Sequence, residues 1–110
     1  MRPIRSIDVY LPLDYNDARP IEEAKFNALE DEFLDRFTGV TTTHRKFPLQ
    51  GLWKHGTEVF EDRVVVFNMK DFRETPPSQT YRYLERLKNR LKKQFRQLDV
   101  LITVQEMVAV

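Results

Sequence analysis

Cysteine is absent from the 110 residues. Its absence excludes disulfides, thiolate nucleophiles and cysteine-ligated zinc or iron–sulfur centres, and it fits a reducing compartment. No apolar run approaches the roughly 18 residues that a membrane helix needs. Behind Met1-Arg2-Pro3-Ile4-Arg5-Ser6 stands neither an apolar stretch nor a small-residue cleavage site, so no secretory signal is expected and cytoplasmic residence is. Net charge is only +1, too little for a generic nucleic-acid coat. There is no internal repeat, low-complexity tract or linker, and a chain of this length has room for one core, so residues 1–110 read as a single domain.

What the chain does have is a hydrophobic period that switches in an ordered way. Ile7, Val9 and Leu11 alternate with Asp8 and Tyr10, the mark of a strand with one buried face. Pro12 ends that strand, and Asp14-Tyr15-Asn16-Asp17 reads as a turn rather than a calcium loop, since it lacks the glycine and distal glutamate of an EF-hand. Phe26, Leu29, Phe33 and Phe37 then repeat at helical spacing, with Pro20 suited to the first turn and Gly39 to the left-handed stop.

From Val40 to Met69 the chain reads as one long hairpin. Pro48 marks a sheet edge or a break, Gly51 a bulge or a close backbone approach, and His55-Gly56-Thr57 the reversal. The returning Arg63-Val64-Val65-Val66-Phe67-Asn68-Met69 is apolar on both faces, as a central strand covered on both sides would be. Thr75 or Ser78 is the expected N-cap of a second helix carrying Leu84, Leu87, Leu91, Phe95 and Leu98. Val100-Leu101-Ile102-Thr103-Val104 supplies the last strand, extendable to Val110. The order strand-helix-strand-strand-helix-strand predicts an α+β, ferredoxin-like βαββαβ sandwich with four antiparallel strands and two helices on one face.

Charge divides between the helices. The first carries six acidic residues from Glu22 to Asp35 against Lys25 and Arg36. The second sets Arg82, Arg86, Arg90 and Lys93 in a basic stripe, and like charges at that spacing repel by about 0.2–0.5 kcal/mol per pair. Ion pairs with the acidic helix would offset the repulsion. An external acid reading the basic helix over 79–98 is the alternative, and nucleic acid is not the expected partner.

Residues with chemical potential cluster in the hairpin. His44, His55 and Asp62 are the candidate catalytic groups, because a histidine beside a carboxylate can serve as general base. Trp53, with Tyr10 bordering from the first strand, is a candidate ligand-binding residue. The histidines have no metal-ligand spacing, and no metal or cofactor is expected. Val9-Tyr10-Leu11 carries half of an RNA-recognition signature, but the third strand lacks its glycine and second aromatic.

Phe37-Thr38-Gly39-Val40-Thr41, Gly51-Leu52-Trp53, Asp62, and Phe95-Arg96-Gln97 ahead of Val100-Leu101-Ile102 resemble a pattern in a group of small bacterial and cyanobacterial proteins. That pattern is Phe-Gly-Gly-(Leu/Val)-Thr, Gly-x-Trp, an acidic residue and Phe-x-Gln. Thr38 stands here where the pattern has its first glycine. The resemblance implies the ferredoxin-like fold and a bacterial source, and brings no activity with it.

The sequence thus reads as a non-catalytic interaction module. Two apolar faces on the third strand leave one facing away from the helices, either Val64 and Val66 or Val65 and Phe67, joined by Tyr10 and Leu101. A homodimer that buries this face, or that pairs edges through the apolar C-terminal strand ending at Val110, is the expected assembly. A ligand-binding protein or enzyme with a pocket near the 40–62 hairpin is the alternative.

Overall fold

A computed structural model describes residues 1–43, 45–74 and 76–110. The elements run β1 (Arg2–Pro12), α1 (Glu23–Phe37), β2 (Thr41–Thr42), β3 (Leu49–His55), β4 (Glu58–Asp71), α2 (Pro77–Gln94) and β5 (Leu101–Ala109). They form an α+β layer of two helices on a five-stranded antiparallel sheet, with strands ordered β2-β4-β1-β5 and β3 also on β4.

Five strands replace the four expected, because the outgoing limb of the hairpin is broken. Pro48, which has no N–H to give a ladder, stands immediately before β3. In the break, Arg45 turns toward α1. Its guanidinium donates to Glu30 Oε1 and Asn27 Oδ1, each at 2.7 Å, above the Phe26 ring.

The core follows the odd-numbered residues of the central strands. Register pairs Ile7 with Met69, Val9 with Phe67 and Leu11 with Val65, all fully buried. Both helices bring their stripes to this one cluster, Phe26, Leu29, Phe33 and Phe37 from α1 and Leu84, Leu87 and Leu91 from α2. Phe33 meets Phe67 edge-on at 5.8 Å between ring centres, and Phe26 meets Phe95 at 5.4 Å, geometries that aromatic quadrupoles favour.

Helix ends depart from the sequence reading. Pro20 bridges to Asp14 in the loop before α1, which starts only at Glu23. Thr38, not Gly39, takes the left-handed position after α1, at φ 62°, with its hydroxyl donating to the Phe37 carbonyl at 2.6 Å. Pro76 occupies the N-cap of α2 and Ser78 lies inside the helix, while Thr75 falls outside the described residues. Leu98 is 91% exposed rather than core, because α2 ends at Gln94 and Arg96, at φ 52°, turns the chain away. None of the helices is long and apolar enough to cross a membrane.

A polar lock joins the helices. Arg90 donates both terminal nitrogens to the two Glu32 oxygens at 2.6 and 2.5 Å, and the Tyr83 hydroxyl donates to Glu32 Oε2 at 2.5 Å. The Arg90 fork holds the Glu32 carboxyl below its ordinary range, and burial together with the Glu32 contact pushes the Tyr83 phenol up.

Candidate functional site

β4 is longer than any strand it pairs with, and this length builds the site. Residues 64–71 pair with β1, whereas 58–63 pair with β3 alone and carry the hairpin past the end of β1, Val64 pairing with both. The two-residue loop Gly56-Thr57 closes that arm, with Gly56 at φ 64°, a conformation glycine accepts without steric cost. At the arm's base Arg63 donates to both Asp14 oxygens at 3.0 and 2.7 Å, and its carbonyl accepts the Leu13 N–H at 2.9 Å.

Cross-strand partners share a face, so the register sorts the arm's side chains. Leu49 with Val64, Gly51 with Asp62, Trp53 with Phe60 and His55 with Glu58 continue the side of the sheet that the helices leave uncovered. On the sheet itself the same side carries Val66, Tyr10 and Leu101 in one row. Gly51 makes the strip possible. A methyl at its Cα would approach Val64 Cγ2 to 2.9 Å and the Trp53 indole nitrogen to 3.2 Å, so its absence lets the indole lie back toward Val64. On this strip Leu49, Trp53 and Phe60 are 48–51% exposed, while Leu52 and Val59, 63% exposed, stand on the arm's other face; large apolar side chains are thus gathered on the arm rather than scattered singly.

Beside the apolar strip lies a polar one. Asn68 donates to Ser6 Oγ at 2.9 Å and Asp8 Oδ1 at 2.6 Å, and its own oxygen accepts from Lys70. The Asn68 amide therefore links Asp8 and Lys70 across the middle of the open face without a direct ion pair.

Tyr10 is half-buried on the open face and Trp53 stands on the arm, with Leu49 and Val64 between them along the strip. His55 ends β3 at the arm's tip, and Asp62 faces Gly51 four residues back, about 13 Å away along the strand, too far for an acid–base pair. His44 lies outside the described residues. Among the described residues no three His, Asp or Glu side chains converge as a metal site would require. Two shallow grooves lie elsewhere, one between the helices by Lys25 and Arg90, the other by Asp71 and Glu106.

The basic stripe is only partly neutralised. Arg90 takes the Glu32 lock and Lys88 pairs with Asp99 at 3.1 Å. Among the described residues Arg82, Arg86 and Lys93 have no carboxylate within ion-pair distance, which corrects the expectation that the acidic helix would meet most of the stripe. The reason is rotational: these three are on the outer face of α2, turned from α1 by the packing of Leu84, Leu87 and Leu91.

Leu49, Phe60, Asp8 and Asn68 were missed as functional candidates. The signal was present in the two-residue turn, because counting pairs outward from Gly56-Thr57 puts Phe60 beside Trp53.

No protein-family model matches the chain, and no curated protein matches it. One solved structure does. The fold is similar to that of a phage SAM lyase in complex with S-methyl-5'-thioadenosine, at TM-score 0.70 and 13% identity, over 94% of this chain and 81% of that one.

Proposed function

We propose that this protein is a non-catalytic, self-associating interaction module that buries its open sheet face and arm against another copy, in the simplest case as a homodimer. The ferredoxin-like reading belongs to the same proposal: β2 and β3 count as two halves of one strand, which gives the expected order of the sheet. The relationship to the small bacterial proteins with the Gly-x-Trp pattern is part of it too. One observation carries the reading, the apolar strip running from Leu101 and Tyr10 through Val66 to Leu49, Trp53 and Phe60, in which Leu101, Leu49, Trp53 and Phe60 are 45–51% exposed around a buried Val64. Covering the exposed half of each such side chain returns about 1 kcal/mol, and isolated monomers seldom leave a contiguous strip uncovered. The polar neighbours form one network, Asn68 donating to Asp8 and accepting from Lys70, so a copy that covers them must bring partners for the remaining Asp8 acceptors and Lys70 donors. Sedimentation equilibrium at micromolar concentration tests it. The wild type should weigh more than one chain, and Val66→Asp should lower that mass while leaving the far-ultraviolet spectrum unchanged. A monomeric wild type, or a mass indifferent to Val66→Asp, would overturn the proposal.

A second reading is favoured by the likeness to the phage SAM lyase. Here the open face binds a small molecule with a planar ring, with Tyr10 and Trp53 as stacking surfaces and His55 and Asp62 as polar groups on the same side of the arm. Titration with S-methyl-5'-thioadenosine, followed through the one tryptophan, tests this reading. Saturable quenching lost in Tyr10→Ala would support it, and an unchanged emission would refute it.

A further inference from the structure

The outer side of β5 is a bare strand edge. Among the described residues Leu101–Ala109 pairs with β1 alone, from Tyr10↔Leu101 to Arg2↔Ala109, and no other backbone hydrogen bond reaches it. Proteins usually blunt such an edge with lysine, proline, a bulge or brevity. β5 has none of these. It is nine residues long, unbroken in register, free of proline and lysine, and carries one charge, Glu106. A row of unmet donors and acceptors is complemented by one kind of ligand, an extended strand.

We propose that this strand is β5 of a second copy, paired antiparallel about a two-fold axis at Gln105. Gln105 is the midpoint of the strand, so centring there uses all nine residues and sets Leu101 opposite Ala109. It also sets Ile102 opposite Val108 and Thr103 opposite Met107, and places Glu106 against Val104. Centring one residue later would put two Glu106 carboxylates face to face, a destabilising pair. At the centre, the two Gln105 amides can each donate and accept. The axis stands normal to the sheet, so both open faces stay on one side. The edge contact is therefore separate from the face contact proposed above, and the two can coexist.

The absence of cysteine makes the test clean. In Gln105→Cys the two-fold brings the paired Cα atoms to about 4.5–5.5 Å, within disulfide reach. In Met107→Cys the equivalent atoms are offset by four residues, about 13 Å, and cannot bond. Mild oxidation should convert most of Gln105→Cys to a covalent dimer and little of Met107→Cys, and the Gln105→Cys bond should survive in a Val66→Asp background. Equal yields from the two cysteines, or loss of the bond with Val66→Asp, would overturn the edge pair. The second result leaves face association standing, and a persistent bond with no mass change on Val66→Asp does the reverse. Amide hydrogen exchange on the unsubstituted protein gives an independent reading: β5 amides should exchange far more slowly than those of the arm, and equally fast exchange would contradict the pair.

Discussion

The two sides of β1 and β4 are built from neighbouring residues of the same segments, yet they have opposite characters. Ile7, Val9, Leu11, Val65, Phe67 and Met69 vanish beneath two helices, while Ser6, Asp8, Tyr10, Val66, Asn68 and Lys70 face outward beside an arm of exposed Leu, Trp and Phe. The buried side is closed by this chain alone. The open side is half prepared for closure: its polar groups are linked through Asn68 and its apolar groups are gathered in one strip. Fold stability and association are therefore written on different faces and can be broken separately.

The largest effect belongs to the covered face. Phe33→Ala should lower unfolding free energy by about 3–5 kcal/mol, since it removes a ring packed against Phe37 and Phe67. Phe60→Ala, on the arm, should change the stability of the isolated chain by no more than about 0.5 kcal/mol and still weaken association. Denaturant titration at low concentration, paired with sedimentation, separates the two. Equal losses of stability would erase the distinction between the faces.

The helix lock sharpens the comparison through pH. Glu32 titrates lower in the folded chain than its ordinary 4.5, first because Arg90 bonds it. A depressed carboxylate contributes stability above its unfolded value and loses that contribution as pH falls through the folded one. The wild type should thus weaken progressively below about pH 4.5. Glu32→Gln should give up about 1 kcal/mol at neutral pH, a modest figure because Arg90 is partly solvated, and weaken less steeply in acid. Urea midpoints across that window would show it, and parallel slopes would contradict it.

A similar magnitude with opposite sign is expected at Thr38. A β-branched residue held at φ 62° is strained by about 1–2 kcal/mol relative to glycine. Thr38→Gly should therefore raise the stability of the covered side by about 1 kcal/mol, less if the hydroxyl bond to Phe37 offsets the strain, and leave association unchanged. Thermal unfolding checks it. The smallest effect concerns the outer face of α2. Arg82, Arg86 and Lys93 offer few phosphate contacts, so oligonucleotide affinity at about 150 mM salt should be weaker than micromolar. Tight binding abolished by Arg86→Glu would give the stripe a role of its own.

Much of the covered side was legible in the sequence, because burial there follows simple periods. Every third or fourth residue of α1 and, from Ile7 to Leu11, every second residue of β1 is buried as its spacing demands, although Ile4, Arg5 and Ser6 are buried in succession before them. Element ends were less legible. Thr38 holds a conformation that propensity assigns to Gly39, and Leu98 continues the spacing of α2 after the helix has stopped, since tertiary packing and not local preference sets both ends. The open side was legible only in part. Two apolar faces on residues 63–69 announced that something must cover Val66, but the offset between β3 and β1 along β4 cannot be read from spacing. That offset creates the arm, separates His55 from Asp62 and unites Trp53 with Phe60. Of the ion pairs expected between the helices from the basic stripe, Arg90–Glu32 forms and those of Arg82, Arg86 and Lys93 do not, for a related reason: charge composition counts residues, whereas rotation about the axis of α2 decides which of them reach α1.

Trp53 stands on the arm and is the one tryptophan of the chain, so its emission reports directly on whether the open side is covered. At micromolar concentration the emission should be blue-shifted and shielded from a neutral quencher. It should move to the red and become accessible on dilution or in Val66→Asp. Red, freely quenched emission at every concentration, unchanged by Val66→Asp, would mean that the open face stays in water and would contradict the account.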